Sequence, residues 1–150
     1  MSPARVCLFI AILILAASAP ANTFAFTGNQ DRSSQLFDLG NQQYRDGRYA
    51  EAVETFIELI RLQPASPNAH FGLGNSYYAL KRYSEAVTEF RSAIRLNSAY
   101  YEAYVQLGNS YDYLGQHSEA LSAYQQAQII EPSKPDAYCE MGIVYKNSET

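Results

Sequence analysis

An all-α solenoid of stacked helical repeats is expected for this chain, on three grounds. The triplet Leu39-Gly40-Asn41 returns as Leu73-Gly74-Asn75 and Leu107-Gly108-Asn109. Gly142 follows in the same register, so Gly40, Gly74, Gly108 and Gly142 are evenly spaced along the chain. A fixed period in the range of roughly 20–50 residues is the mark of a stacked repeat protein. Helix-boundary residues punctuate every period, and 47% hydrophobic residues supply enough apolar material for a core. At 150 residues the length prior is one domain.

The segment Met1–Ala21 differs from the rest. Arg5 gives a short positive start, Val6 to Ala17 is an unbroken apolar run, and Ser18-Ala19-Pro20-Ala21 follows. This is a secretory signal pattern, too short for a comfortable membrane span. Residues 1–21 are therefore expected to be a signal peptide cleaved after Ala21, giving an exported protein, periplasmic or secreted. The alternative is an uncleaved membrane anchor, helped by Phe24-Ala25-Phe26. Cys7 stands at the start of the apolar run and not after it, which argues against a lipidated cysteine. Removal of the signal leaves Cys139 alone, so no internal disulfide is expected. Residues 22–32 are polar, contain Gly28 and lack a helical period; they read as a linker.

Seven helices are expected over residues 33–147: Ser34–Arg45, Tyr49–Leu62, Pro67–Leu80, Tyr83–Leu96, Tyr101–Leu114, His117–Ile130 and Pro135–Lys146. Asp46-Gly47 and Leu114-Gly115 look like helix C-termini with glycine just past the end. Ser66-Pro67 is an N-cap followed by proline at the first helical position. Pro132 and Pro135 cannot continue the preceding helix. Lys81 holds the turn place of Gly47 and Gly115, where a left-handed backbone suits lysine less well. Glycine inside a helix costs about 1 kcal/mol relative to alanine. Its recurrence implies a larger steric gain, expected where Gly40 meets Ala52, Gly74 meets Ala86 and Gly108 meets Ala120. Phe56, Phe90 and Tyr124 are expected to fill the space toward the following repeat.

These residues resemble the tetratricopeptide repeat, a helix–turn–helix unit of about 34 residues. Residues 33–66 supply Leu36, Leu39-Gly40, Ala52, Phe56 and Pro64. Residues 67–100 supply His70, Leu73-Gly74, Tyr77, Ala86, Phe90 and Ala93. Residues 101–134 supply Tyr104, Leu107-Gly108, Tyr111, Ala120, Tyr124, Ala127 and Pro132. A partial repeat over 135–147 begins with Tyr138, Met141-Gly142 and Tyr145. Gln43, Leu59 and Ser98 depart from the family pattern, which has tyrosine, a small residue and proline at those places. The resemblance implies a right-handed α-solenoid of helical hairpins.

No enzyme is expected. The chain has no phosphate-binding glycine loop, no Gly-x-Ser-x-Gly and no His-Glu-x-x-His. His70 and His117 are too few for a metal site, and no cofactor or small-molecule substrate is implied. A net charge of −4 argues against a nucleic-acid partner and against an anionic membrane surface. The carboxylates of the second helices read as a solvated face.

The resemblance implies that the first helix of each unit lines a concave groove holding a protein or peptide. Helical spacing selects Phe37, Asn41 and Tyr44 there, then Phe71, Asn75 and Tyr78, then Glu102, Asn109, Asp112 and Tyr113. Asn41, Asn75 and Asn109 form a ladder able to donate to and accept from a peptide backbone. Phe37, Tyr44, Phe71 and Tyr78 make one half of the groove aromatic. Glu102, Asp112 and Asp136 make the other acidic, suited to steering a basic partner. Some family members grip a C-terminal carboxylate with a basic clamp. The matching places are Phe37, Asn41, Gly72, Glu102 and Gln106, of which only Asn41 fits, so no clamp is expected.

The leading expectation is a non-enzymatic adaptor outside the cytoplasm. The stop at Thr150, within a repeat, keeps open a recognition module of a longer enzyme or complex. Residues 135–147 keep the repeat's packing places, so a homo-oligomer through that helix is also expected.

Overall fold

The structure, a computed structural model, describes residues 21–148, with side-chain surroundings for residues 30–144 other than Asp136. The expected signal segment lies almost wholly outside this range. Seven α-helices and no strands are found among the described residues: α1 Ala21–Arg45, α2 Tyr49–Leu62, α3 Pro67–Ala79, α4 Tyr83–Leu96, α5 Tyr101–Tyr113, α6 His117–Ile130 and α7 Asp136–Ser148. None is long and apolar enough to cross a membrane.

One expectation is corrected here. Residues 22–32 are helical rather than an irregular linker, because α1 begins at Ala21. No proline interrupts Ala21–Arg45, and the lone Gly28 costs only about 1 kcal/mol. Ser34 Oγ donates back to the Gln30 carbonyl at 3.1 Å within this helix. Residues from Gln35 onward form a compact unit of their own, described below.

The local chemistry of each boundary follows from the residues. Ser66 Oγ accepts from the Ala69 amide at 3.3 Å, capping α3, and Pro67 takes the first helical place. The turns within the hairpins share one geometry. Gly47, Lys81 and Gly115 adopt φ of 76°, 61° and 73°. Their amides donate to Tyr44, Tyr78 and Asp112 carbonyls, and the next amides, of Arg48, Arg82 and Gln116, to Gln43, Tyr77 and Tyr111. This is the paired bond pattern that satisfies the last carbonyls of a helix. Lys81 therefore keeps the turn, in a left-handed backbone that disfavours a side chain.

Consecutive helices pack on one another from α2 to α7. The first helices of successive hairpins also touch, α3 with α5 and α5 with α7. No pair of second helices does so among the described residues. First helices thus form the inner layer of the array and second helices the outer one.

The core is one ring per hairpin. Phe56, Phe90 and Tyr124 are buried, each clustered with at least one buried alanine of its own helix. At the repeat glycines the nearest neighbours are rings. A Cβ on Gly40 would lie 2.9 Å from Phe56, on Gly74 2.6 Å from Phe90, and on Gly108 2.5 Å from Tyr124. The ring, larger than a methyl group, sets the need for glycine. Ala52, Ala86 and Ala120 are fully buried. Gly72 backs onto Phe56 from the following hairpin, with its would-be Cβ 2.5 Å from the ring. The departure at Gln43 is matched by Thr55, whose hydroxyl donates to Gln43 Oε1 at 2.7 Å in a buried setting. Leu59 fills the core where alanine stands in later repeats.

Candidate protein-interaction face

The inner layer carries the residues expected to line a groove, and their surroundings sort them into three kinds. Some are packed. Phe37 is half-buried with its edge toward Phe56, ring centroids 6.4 Å apart. Phe71 is half-buried between Phe90 at 5.8 Å and Tyr100 at 4.9 Å. Both serve the core as well as the surface.

Some are already engaged in polar contacts. Glu102 pairs with Lys134 at 3.1 Å. Asp112 accepts from His117 Nδ1 at 2.8 Å. Asn109 Oδ1 accepts from the Tyr124 hydroxyl at 2.6 Å, and its amide reaches Gln106 at 3.4 Å. The expected ladder of three asparagines is therefore two rungs. Asn41 and Asn75 are half-buried and make no side-chain hydrogen bond among the described residues. The reason lies across the hairpin: Phe56 and Phe90 have no hydroxyl, whereas Tyr124 does. Nor are Glu102 and Asp112 unpaired acids. The third acidic place, Asp136, lies outside the described side chains.

The third kind is brought together by the fold. Tyr78 meets Tyr83 at 5.4 Å and Tyr113 at 5.7 Å, both edge-on. Tyr83 and Tyr113 stack face to face at 4.7 Å, with an interplanar angle of 10°. Tyr113 is 64% exposed, so the stack ends in an open ring face. Burial, with the neighbouring Tyr113, Tyr83 and Glu140, pushes the Tyr78 hydroxyl well above the ordinary tyrosine value. It stays neutral and a hydrogen-bond donor at physiological pH. Tyr44 repeats half of this arrangement, tilted on Tyr49 at 5.3 Å, and burial raises its hydroxyl too.

Sequence reasoning selected Tyr44, Tyr78 and Tyr113 but missed their second-helix partners Tyr49 and Tyr83. The signal was present: Tyr44/Tyr49, Tyr78/Tyr83 and Asp112/His117 are the same pair of places one period apart. The third copy exchanges an aromatic pair for a hydrogen-bonded ionisable one.

The other histidine is engaged as well. His70 Nδ1 lies 2.7 Å from Glu89 and Nε2 lies 3.3 Å from the Pro64 carbonyl. Among the described residues, no group of three or more His, Cys, Asp or Glu side chains is placed to hold a metal.

Two family models match the chain, one described as tetratricopeptide repeat over residues 37–101 and one as TPR repeat over residues 108–148. The chain carries tetratricopeptide repeats. Three solved structures illustrate the likeness. The first tetratricopeptide domain of Spaghetti (RPAP3), bound to an HSP90 peptide, is 23% identical with a TM-score of 0.77, covering 80% of this chain and 95% of that one. MamA is 27% identical with a TM-score of 0.76, covering 86% of this chain and 75% of that one. The Yersinia enterocolitica type III secretion chaperone SycD, in complex with a peptide of the translocator YopD, is 21% identical with a TM-score of 0.73. That match covers 79% of this chain and 95% of the other. No curated protein sequence matches the chain. Tetratricopeptide repeats form a protein-interaction module, and this chain has the fold of one.

Proposed function

We propose that this tetratricopeptide protein is a non-enzymatic adaptor that holds an extended peptide or protein segment on its inner face, outside the cytoplasm. The observation that carries the binding reading is the tyrosine stack of Tyr78, Tyr83 and Tyr113, open at one ring face. Large aromatic anchors are where interfaces concentrate their energy. Asn41 and Asn75 stand on the same layer with amide groups suited to a peptide backbone. Two of the similar structures hold peptides, of HSP90 and of YopD.

The mode differs from capture of a C-terminal carboxylate. A clamp needs a side chain at the place of Gly72, where even a Cβ would lie 2.5 Å from Phe56. Glu102 and Asp112 already face cationic or protonatable partners, so aromatic contact outweighs charge steering. The location outside the cytoplasm rests on the signal pattern of residues 1–21.

The test begins with peptides selected from a random library on the full chain. Their affinities are then measured for Tyr113→Ala and Asn75→Ala. The expected result is a loss of roughly tenfold or more for Tyr113→Ala, since about 1.4 kcal/mol is a factor of ten. Selected peptides that bind both variants as tightly as the wild type would overturn the groove. Intact-mass measurement of exported protein starting near Asn22 is expected for the location. Retention of Met1–Ala21 would overturn cleavage.

A further inference from the structure

The tyrosine cluster of the inner face has a geometry and a charge setting that select one kind of guest side chain. Its three rings lie on α3, α4 and α5, which have neighbouring helices on both sides. The centroids of Tyr78, Tyr83 and Tyr113 form a near-equilateral triangle with sides of 5.4, 5.7 and 4.7 Å. Both neighbours of Tyr113 therefore lie to one side of it. Tyr83 covers one face of that ring in a parallel stack, and the opposite face is open. A further flat group laid there continues the stack.

Elsewhere the chain covers tyrosine faces with its own cations. The Arg82 guanidinium lies over Tyr77 at 4.6 Å, and the Lys134 ammonium over Tyr101 at 4.2 Å. Among the described residues no cation lies over Tyr78, Tyr83 or Tyr113. The charges acting on the cluster are negative instead. Asp112, next to Tyr113 in the chain, accepts through Oδ1 from His117, which is charged only when protonated. Its Oδ2 has no partner among the described residues. The half-buried Glu140 acts on the hydroxyls of Tyr78 and Tyr124, and Asp112 on that of Tyr124, helping to hold both phenols neutral. An aromatic face in a negative field attracts a cation and repels a carboxylate.

We propose that the open face of Tyr113 takes an arginine of the bound segment, its guanidinium stacked on the ring in the field of Asp112 and Glu140. The proposal rests on the groove reading above and names the side chain that reading leaves open. Arginine suits the place better than lysine. Its guanidinium is planar and weakly hydrated, whereas an ammonium is a compact, strongly hydrated charge with no face to stack. Proline also fits aromatic grooves but gains nothing from the carboxylates.

The probes are short peptides selected from a random library on the full chain, each remade with citrulline, the uncharged isostere, at each arginine in turn. The selected peptides are expected to share an arginine whose replacement by citrulline weakens binding to the wild type about tenfold. That penalty is expected to fall to about twofold or less on Tyr113→Ala, and to be smaller on Glu140→Gln than on the wild type. Tyr113→Phe keeps the ring face and is expected to keep the arginine preference. Tyr113 is exposed, so its truncation leaves the fold in place, which circular dichroism checks. Peptides that need Tyr113 but bind equally with citrulline, or carry proline in place of arginine, would overturn the arginine site and leave the groove standing. A citrulline penalty unchanged on Tyr113→Ala would put the arginine elsewhere and overturn the site. Peptides indifferent to Tyr113→Ala, or a selection that yields none, would overturn groove and site together.

Discussion

Replacing Gly108 by alanine isolates the packing on which the array depends. Taken as helix propensity alone, the change stabilises α5 by about 1 kcal/mol. The surroundings oppose it. A Cβ at Gly108 would lie 2.5, 2.7 and 2.8 Å from three atoms of the Tyr124 ring. These separations fall short of an ordinary carbon contact by about 1 Å. The ring has little freedom to retreat. Tyr124 is buried, and its hydroxyl is tied to Asn109 at 2.6 Å. Overpacking a filled core costs typically about 1–3 kcal/mol, so Gly108→Ala should be neutral to destabilising by about 2 kcal/mol. Gly142→Ala is the internal control, since nothing lies within 4 Å of its Cβ and only the propensity gain remains. The two variants should differ by about 1–3 kcal/mol. Urea unfolding of both, read by circular dichroism at a concentration where each is monomeric, measures the difference. Equal stabilisation by both substitutions would refute the steric reading of the repeat glycines.

Lys81→Gly should stabilise the protein by about 0.5–1 kcal/mol, because a left-handed residue other than glycine is strained by at least that much. The midpoint of urea unfolding checks this, and an unchanged or lower midpoint would count against the strain at φ 61°. Alkali should unfold the protein cooperatively. Burial raises the hydroxyls of Tyr44, Tyr78, Tyr100 and Tyr124 in the folded state. The stability they contribute is complete below the unfolded tyrosine value of about 10 and is lost as pH rises above it toward the folded values. Tyrosinate absorbance should therefore lag in these four until the helical signal falls; parallel titration of all tyrosines in a folded protein would contradict it.

Much of the fold was legible because helix ends are written in local chemistry. The bounds of α2, α4 and α6 follow from the turn residues that precede them and the periodic segments that follow. Ser66 and Pro67 announce α3, and Gly47 and Gly115 announce their turns. What recurs was legible; what meets was not. The period placed Gly108, Ala120 and Tyr124 in one repeat, but only the crossing of α5 on α6 decides that glycine faces the ring. Likewise the asparagine ladder was visible as a spacing. Its third rung was lost to a single oxygen, present on Tyr124 and absent from Phe56 and Phe90. Residues 22–32 misled for a related reason. Their lack of an apolar stripe signals the absence of a packing face, which is a different matter from the absence of a helix.

Phe56 has a place in the array that neither later ring shares. Gly40 lies against it from its own hairpin and Gly72 from the next, so backbone closes on both sides of one side chain. One and two periods on, the place of Gly72 is held by Gln106 and Glu140. The first junction is thus a rigid seam, while the later ones are lined by longer side chains that tolerate adjustment. In a linear array, stability is a sum of repeat and nearest-neighbour terms, and loss of structure starts where the neighbour term is smallest. The array therefore has a built-in polarity: it holds longest at the seam around Phe56. Hydrogen exchange would read that polarity as a gradient, slowest in α2 and α3.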